Sequence, residues 1–391
     1  MARAFLIVID SVGIGGAPDA DQFFNGTLPD TGANTLGHIA DAVGLNVPTM
    51  DALGLGAAVK LASGTAAIGL DTVPTGAWGA ATEVSHGKDT PSGHWELAGV
   101  PVPWEWHTFP DTDPAFPPEL TAQICAAAGT AGILGNRHAS GTVIIEQEGA
   151  AHLKTGWPIC YTSADSVLQI AAHEEAFGLE RLLKLCKDIA PILHDMKVGR
   201  VIARPFTGEL GSFKRTANRK DFAIAPPAPT ICDYVHDAGR TVYAVGKIGD
   251  IFSMHGIDDL RKGRDVDLMG HIIDLVDEVP DGSFVFANLV EFDSEYGHRR
   301  DPAGYAKHLE WFDRALAALL PKLRAGDLLI VSADHGNDPT WSGTDHTRER
   351  VPVLVHGIGA KALGHLNFTD VAASIADHLE VPYAGQGKSF L

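Results

Sequence analysis

The chain has 391 residues, of which 45% are hydrophobic and 20% charged, a composition typical of a folded globular protein. Its 49 acidic and 30 basic residues give a formal net charge of -19, which repels nucleic acid and anionic membrane surfaces. An anionic substrate would therefore need a local pocket of Arg and Lys or bound cations. We expect neither a nucleic acid nor a membrane as a partner.

The length, the cysteines and the apolar runs predict a cytoplasmic protein of two domains. A chain of 391 residues exceeds the roughly 250 to 300 residues at which single cores stop growing. The first apolar run, residues 4–9, is shorter than the roughly 7 to 15 residues of a signal segment, and no run approaches the ~20 residues that span a bilayer. The cysteines are widely spaced and are expected to be reduced core residues: Cys125, Cys160, Cys186 and Cys232.

The predicted elements alternate between strands and helices. Residues 5–9 form a short apolar run rich in Ile and Val, which is typical of a strand buried on both faces. Similar runs occur at residues 241–245, 284–290, 328–331 and 351–355. Apolar residues three or four apart predict helices over residues 305–319 and 371–378. This alternation predicts an α/β domain with a mostly parallel sheet.

The middle of the chain interrupts this alternation. After a stretch rich in Pro and Trp, strands are predicted at residues 142–145, 158–161 and 200–203, with a helical stretch at 165–192. This order suggests a small α+β unit inserted into the larger domain. We therefore predict a core domain of residues 1–99 and 222–391, and an inserted cap of residues 100–221.

The glycines after the first strand do not form a nucleotide-binding motif. Gly13, Gly15 and Gly16 follow residues 5–9, but a GxGxxG fingerprint would need glycine where the chain has Pro18. The GxxxxGK[ST] pattern of a P-loop is also missing from the sequence. Both nucleotide-fold interpretations are rejected.

Polar residues with metal-binding side chains follow three of the predicted strands. They are Asp10, Asp293 and the pair Asp334 and His335, with His298 and His346 shortly after. Alone, each Asp is more often a turn former and each His a surface residue. Their coincidence at the carboxyl ends of strands favours a metal site. Six oxygen and nitrogen ligands exceed the need of one tetrahedral ion and suit two ions about 3.5 to 4 Å apart, such as Mn, Zn, Fe or Mg.

Thr90 is the candidate nucleophile. It lies in a loop rich in Gly and polar residues, 87–96, that enters a helix, where backbone N–H groups help to hold an anion. A hydroxyl is a poor nucleophile at neutral pH, and two cations would lower its pKa. Without the metal argument, Thr90 would be an ordinary capping residue. Together these residues predict two-metal phosphoryl transfer.

Several ordered motifs make the chain resemble the prokaryotic phosphopentomutase family of the alkaline phosphatase superfamily. The motifs are residues 10–15 (DSVGIG), 87–90 (GKDT), 93–96 (GHWE), 161–166 (YTSADS), 292–293 (FD), 296–301 (YGHRRD), 333–340 (ADHGNDPT) and 343–349 (GTDHTRE). The resemblance implies an alkaline-phosphatase-like core with an inserted cap for substrate binding. It implies interconversion of the 1-phosphate and 5-phosphate of ribose or deoxyribose, through a phosphothreonine and a bisphosphate intermediate.

The resemblance also implies roles for individual residues. Asp10, Asp334 and His335 would hold one Mn²⁺, Asp293, His298 and His346 a second, and Thr90 would bridge them and bear the phosphate. The implied substrate-binding residues are Ser163, Asp165, Val167, Arg204, Arg215, Arg219 and Lys247. Glucose 1,6-bisphosphate or a similar sugar bisphosphate would prime the enzyme.

Three alternatives stay open at this point. The same cage could serve a metal-dependent phosphoglycerate mutase or a phosphatase that releases phosphate to water. A non-catalytic metal-binding protein is the third interpretation, although structural metal sites tend to be saturated and lack a free hydroxyl. The sequence leaves the oligomeric state undetermined.

Overall fold

The computed structural model describes residues 2–163 and 165–391, so Ala164 of the 161–166 motif lies outside the described residues. The chain forms two compact units. The core unit comprises the residues up to Pro103 together with Pro226–Leu391, and the cap unit is Trp104–Ala225. Within the described residues, no helix is both long and apolar enough to cross a membrane.

The elements of the described residues are as follows. The strands are β1 (Ala4–Ile9), β2 (Phe24–Asn25), β3 (Leu28–Pro29), β4 (Ala77–Thr82), β5 (Leu134–His138), β6 (Ile159–Thr162), β7 (Val167–His173), β8 (Arg200–Thr207), β9 (Lys214–Arg215), β10 (Lys220–Ala223), β11 (Val242–Val245), β12 (Asp259–Arg261), β13 (Phe284–Leu289), β14 (Leu328–Ser332), β15 (Val351–His356) and β16 (Lys361–Asn367). The helices are α1 (Thr35–Val43), α2 (Pro48–Leu53), α3 (Leu55–Ser63), α4 (Thr90–Leu97), α5 (Pro118–Ala128), α6 (Gly141–Thr155), α7 (Leu179–Asp195), α8 (Ile231–Asp237), α9 (Ile248–Ile251), α10 (Asp265–Glu278), α11 (Pro302–Leu319) and α12 (Thr369–Leu379).

The core unit is built on an eight-stranded sheet in the order β12-β11-β13-β1-β14-β15-β4-β16. Every residue of β1 is buried, as its continuous apolar sequence predicts, and β1 pairs in parallel with both β13 and β14. The pairs β11–β12, β11–β13 and β4–β16 are also parallel. Only β15 runs the other way, antiparallel to β14 and β4. The predicted mostly parallel α/β sheet is confirmed.

Helix α11 shows how the helices of the core unit are specified. Asp301 caps its first turn by accepting a hydrogen bond from the Gly304 amide at 2.9 Å. Its apolar side chains at spacings of three and four are buried: Tyr305, Leu309, Phe312 and Leu316. Helix α12 buries Val371 and Ile375 in the same way. The helices predicted over 305–319 and 371–378 are confirmed.

The cap unit has its own sheet, in the order β10-β8-β7-β6-β5, with β9 paired to β8. One face of the sheet packs against α5 and α7 in a cluster that includes Ile124, Leu185 and Leu168. The other face packs against α6 in a smaller cluster with Ile145 and Phe206. Two separate apolar clusters thus enclose the sheet from both sides.

Two predictions in the cap were wrong. Residues 142–145 are not a strand but the start of α6, because Ile144 and Ile145 pack on Tyr161 and Phe206, and this packing overrides the β preference of branched residues. Residues 167–173, predicted as helix, form β7. Every residue of β7 is buried, so its sequence lacks the alternation that separates a strand from a helix. The helix itself begins only at Leu179.

Candidate active site

The candidate ligands follow three adjacent strands of the core sheet. Asp10 comes directly after β1, Asp334 and His335 follow β14, and Asp293 lies in the helical turn Phe292–Gly297 after β13. Because β1 is parallel to both neighbours, the three carboxyl ends meet at one edge of the sheet. The topology therefore collects side chains that are far apart in the sequence.

The first group of side chains surrounds His335. Its Nε2 atom lies 3.2 Å from Asp334 Oδ2 and 3.6 Å from Asp10 Oδ1. Thr90 Oγ1 is 3.3 Å from the same nitrogen. Asp10, Asp334 and His335 are at most 2% exposed. The hydroxyl of the candidate nucleophile thus faces a buried cluster of ligand atoms.

The second group surrounds Asp293. One carboxylate oxygen lies 3.1 Å from His298 Nε2, and the other lies 3.4 Å from His346 Nε2. The His335 and His346 rings stack with their centroids 3.9 Å apart, so the two groups adjoin. His298 is the exposed member, with 40% of its side chain accessible. The structure therefore brings all seven predicted residues together, with one buried side and one open side.

The three imidazoles are oriented by backbone carbonyls. The Nδ1 atom of His298 donates to the carbonyl of Thr344 at 2.7 Å, and that of His346 donates to the carbonyl of Lys88, also at 2.7 Å. His335 Nδ1 donates to the carbonyl of Gly336 at 3.1 Å. When a ring is neutral, as metal binding requires, its proton is on Nδ1 and the lone pair of Nε2 faces the other ligands. This is the tautomer that a metal requires.

The charges in the cluster fit divalent cations. Burial, together with Asp334 and Asp293, raises the pKa of Asp10 well above its usual value. Burial also lowers the pKa of His335 to about 4, which keeps that ring neutral. In the described part of the chain, the buried atoms Asp10 Oδ1 and Asp334 Oδ2 accept no hydrogen bond. Crowded carboxylates with unfilled oxygens, together with imidazole nitrogens, form a suitable ligand set for one or more hard to borderline ions.

Asp293 and His346 favour each other's charged forms. Burial alone would raise the pKa of Asp293, but His346 and the hydrogen bonds from His298 and His346 bring it well below its usual value. Burial would lower the pKa of His346, yet the attraction of Asp293 raises it to about 9. The metal-free protein therefore holds a proton on His346 that a metal ion would displace.

Helix α4 places Thr90 at the edge of the cluster. Asp89 caps the helix by accepting a hydrogen bond from the Ser92 amide at 3.1 Å, so Thr90 is the first helical residue. Gly93 lies directly on the segment after β14. A Cβ atom at this position would be 2.0 Å from the carbonyl oxygen of Asp334. Only glycine allows this approach of α4 to the ligands.

Two residues near the ligands were not predicted from the sequence. His94 is buried, and its Nδ1 lies 3.1 Å from Asp334 Oδ2 and 2.9 Å from the carbonyl of Thr90. Asn337 donates from Nδ2 to Asp293 Oδ1 at 2.7 Å. The available signal for His94 was its position four residues after Thr90, which puts both on one helix face. For Asn337, the available signal was its position two residues after His335.

The predicted arginines lie together in the cap unit. Arg204, Arg215 and Arg219 line a pocket of about 290 Å³ with Pro205 and Thr216. Arg204 donates from Nε to Gln169 Oε1 at 3.0 Å. Arg219 donates from Nε and Nη2 to the two carboxylate oxygens of Asp221, both at 2.7 Å. The pocket is therefore cationic, although Asp221 balances part of the charge of Arg219.

The other predicted substrate residues are more dispersed. Ser163 and Asp165 lie in the connection between β6 and β7, where Asp165 Oδ2 is 3.9 Å from Arg200 Nη2. Val167 begins β7 with a buried side chain, and its amide and carbonyl are bonded to Asp165 and Thr162. Lys247 precedes α9 in the core unit, and its charge partly opposes the rise in the pKa of Asp10 that burial and the neighbouring carboxylates cause.

The chain is similar to known proteins over its whole length. A family model described as the metalloenzyme superfamily matches residues 2–383. The phosphopentomutase of Methylorubrum extorquens (strain PA1) is 53% identical over 412 residues, with 100% of both chains covered. The phosphopentomutase of Rhizobium meliloti (strain 1021) is 51% identical, again with 100% of both covered. Among solved structures, the PH0037 protein from Pyrococcus horikoshii shares the fold, with a TM-score of 0.50, 13% identity and 99% of each chain covered.

Proposed function

The chain belongs to the phosphopentomutase family within the metalloenzyme superfamily, and we propose that Thr90 carries the phosphoryl group through its catalytic cycle. The activity is that of an isomerase, an intramolecular phosphotransferase acting on pentose phosphates. Relatives more than half identical over the full chain carry this one name, which favours it over the glycerate mutase and phosphatase alternatives.

One observation supports the role of Thr90: its hydroxyl faces the ligand cluster, 3.3 Å from His335 Nε2. Asp10, Asp334 and His335 would hold one divalent ion, and Asp293, His298 and His346 a second; we propose Mn²⁺ for both. When bound, such ions lower the pKa of a hydroxyl and offset charge on a phosphoryl group. The N-terminus of α4 adds backbone N–H groups at the same place.

The proposed cycle has two balanced transfers. Phosphothreonine 90 gives its phosphoryl group to the free hydroxyl of a ribose or deoxyribose monophosphate, so that an O–P bond forms on the sugar and the bond to Thr90 Oγ1 breaks. The proton of the sugar hydroxyl leaves, and Thr90 regains one. In the second transfer, Thr90 Oγ1 gives up its proton and forms a bond to the other phosphorus of the bisphosphate. The bond from that phosphorus to the sugar oxygen breaks, the sugar oxygen takes up a proton, and the isomeric monophosphate departs. Glucose 1,6-bisphosphate or a similar sugar bisphosphate would load Thr90 first.

The cap unit supplies the proposed sugar and phosphate contacts. Arginine suits phosphate because its guanidinium donates two parallel hydrogen bonds to an anion. We assign the phosphate that is not being transferred to the cationic pocket of Arg204, Arg215 and Arg219. Lys247 of the core unit is a further proposed substrate contact. Ser163, Asp165 and Val167 are the proposed sugar contacts.

A cytoplasmic location of the protein remains a prediction from the sequence.

Replacing Thr90 tests the proposal. Thr90→Val keeps the shape of the side chain and removes the nucleophile, so conversion of ribose 5-phosphate to ribose 1-phosphate should fall at least about a thousandfold. The intact wild-type protein, incubated with glucose 1,6-bisphosphate, should gain the mass of one phosphoryl group, and Thr90→Val should gain none.

The control is Thr72→Val, at an exposed threonine of the core unit, which should keep full activity. Turnover by Thr90→Val near the wild-type rate would remove Thr90 from the cycle. Release of inorganic phosphate by the wild type, faster than ribose 1-phosphate forms, would instead show a phosphatase.

A further inference from the structure

The guanidinium of Arg300 donates hydrogen bonds to four acceptors in three segments of the core unit. Its Nε donates to the carbonyl of Gly343 at 2.6 Å, and its Nη2 donates to the carbonyl of Asp345 at 3.1 Å. Its Nη1 donates to the carbonyl of Gly297 at 2.9 Å and to Oδ1 of Asn337. Because the guanidinium is planar and rigid, these bonds fix the three segments relative to one another.

Each of the three segments carries or contacts a ligand of the proposed second ion. The first segment reaches the residue before His298, and the third reaches the peptide bond of His346. In the second segment, Asn337 donates from Nδ2 to Asp293 Oδ1 at 2.7 Å. Arg300 thus contacts the immediate support of all three ligands of that ion.

The segment that carries His346 has little other regular structure to hold it. Residues 342–345 are exposed and form bends, not a helix or a strand. Their last three carbonyls, 343–345, accept hydrogen bonds in turn from Arg300 Nε, His298 Nδ1 and Arg300 Nη2. Exposed irregular segments open easily, and a ligand on such a segment would move with it.

The ligands of the proposed first ion have a different support. Asp10 and Asp334 follow β1 and β14 of the core sheet, and both are at most 2% exposed. The amide of Ser11 also donates to Asp334 Oδ1 at 3.0 Å. The sheet itself therefore positions these two carboxylates.

The conformation and the charge of Arg300 both have a cost. Its φ is 54°, in the left-handed region that residues other than glycine seldom adopt, so its contacts must offset an unfavourable backbone. Burial lowers the pKa of Arg300, while Asp338, Asp345 and Asp293 act in the opposite direction, so its charge interacts with a metal ligand. A cation close to Asp293 repels a metal ion. The charge alone would therefore weaken metal binding, and only the geometry can strengthen it.

We infer that Arg300 is a positioning residue for the second divalent ion: it holds the segments of His298 and His346 against each other and orients Asn337 toward Asp293. The inference rests on the proposed two-ion site and identifies what builds its open side. Removing the guanidinium should therefore weaken the binding of one ion and spare the other.

Arg300→Met is the first test, because it removes the guanidinium and keeps an unbranched side chain. Calorimetric titration of the metal-free protein with Mn²⁺ should find two ions in the wild type. In Arg300→Met, the dissociation constant of one ion should rise about 10- to 100-fold, as is typical when a group that supports a ligand is lost, and the other should change less than about twofold. Electron paramagnetic resonance should then show isolated Mn²⁺ in place of the coupled pair expected for ions about 3.5 to 4 Å apart.

Arg300→Lys separates geometry from charge. Lysine keeps the positive charge, but its single ammonium group cannot reproduce the fork of the guanidinium. If geometry decides, both variants should bind the second ion more weakly than the wild type. If charge decides, Arg300→Lys should match the wild type and Arg300→Met should bind the ion more tightly, which would overturn the inference.

Arg299→Met is the matched control. The neighbouring Arg299 is 63% exposed and pairs with Glu295, so its loss should leave the binding of both ions unchanged. Equal weakening of both ions in the two Arg300 variants would show a general structural role, and unchanged binding would show no role; either result would rule out Arg300 as a positioning residue. A wild type that binds fewer than two ions would overturn the proposed two-ion site itself, and the inference with it.

Discussion

At the scale of single residues, Glu349 joins the segment that carries His346 to the start of the chain. Its carboxylate accepts hydrogen bonds from the amides of Gly15 and Thr35 at 3.1 and 2.9 Å, and from the hydroxyls of Thr35 and Thr347, both at 2.6 Å. A Cβ atom on Gly13 would be 2.3 Å from this carboxylate. The glycines after β1, which resemble an incomplete dinucleotide motif, thus make room for a buried acid.

Burial raises the pKa of Glu349 from 4.5 to about 7, which makes stability depend on pH. The folded protein holds this proton up to about pH 7, whereas the unfolded chain loses it near pH 4.5, so stability falls as pH rises between these values. Glu349→Gln cannot ionise, and should lack this fall, which is about 3 kcal/mol for a shift of this size.

Urea unfolding of the wild type and Glu349→Gln at pH 5 and pH 8 measures the effect. The amide can donate to the Thr35 and Thr347 hydroxyls after these rotate, so the variant should match the wild type at pH 5 and exceed it at pH 8. The exposed Glu146→Gln is the control and should follow the wild type. A variant that is less stable at pH 8 would show that the four donors keep Glu349 ionised.

At the scale of elements, α4 connects the nucleophile to the ligands through a contact that requires glycine. Gly93 brings the backbone of α4 against the carbonyl of Asp334, and His94 reaches the Asp334 carboxylate from the next position. Moving α4 outward would therefore move Thr90 away from His335 and disturb Asp334 at the same time.

Gly93→Ala should accordingly abolish activity and weaken metal binding. The added methyl would lie 2.0 Å from the carbonyl oxygen of Asp334. Because the clash is between two backbone segments, no flexible side chain can move to relieve it. Elemental analysis should find two Mn per chain in the wild type and fewer in Gly93→Ala. Gly270→Ala, in the middle of α10 with open space around it, is the matched control. Its free energy of unfolding should increase by up to about 1 kcal/mol, because alanine favours a helix more than glycine does. Full activity of Gly93→Ala would refute the contact.

Elements with strong local patterns could be predicted from the sequence, whereas those fixed by tertiary contacts could not. β1, β13 and β14 are continuous apolar runs, and their ends locate Asp10, Asp293 and Asp334. β16 was missed because its residues are largely exposed and Gly364 interrupts its short apolar stretch, and α6 was missed because its branched residues favour a strand. The positions of His94 and Asn337 beside the ligands depend on how α4 and the segment after β14 pack, which no local pattern encodes.

At the scale of the whole molecule, the two units differ in how their residues are collected. The cap unit is one continuous segment, Trp104–Ala225, with apolar clusters on both faces of its own sheet. The core unit combines two distant parts of the chain and contains all the predicted metal ligands. Stability of the core unit should therefore depend on metal, and that of the cap unit should not.

The isolated segment Trp104–Ala225 is predicted to fold by itself and to unfold cooperatively on heating, with the same Tm in the presence and absence of chelator. In the full chain, chelator should lower the Tm of the core transition, because ions that bind only the folded state stabilise it. Calorimetry with and without EDTA measures both. A Tm of the isolated segment that changes with chelator, or a Tm of the full chain that does not change, would contradict this division.

The parallel pairing of β1 has a consequence for how the protein emerges from the ribosome. Ala4 pairs with Phe284 and Leu328, so β1 is synthesised long before the two strands that flank it in the sheet. The contiguous cap can fold in the meantime, since domains generally fold as units during synthesis. β1 is apolar at every position, and it lacks both of its sheet neighbours throughout that interval. We therefore expect nascent chains that stall before β13 to be the form of the protein that aggregates most readily and that most needs a chaperone.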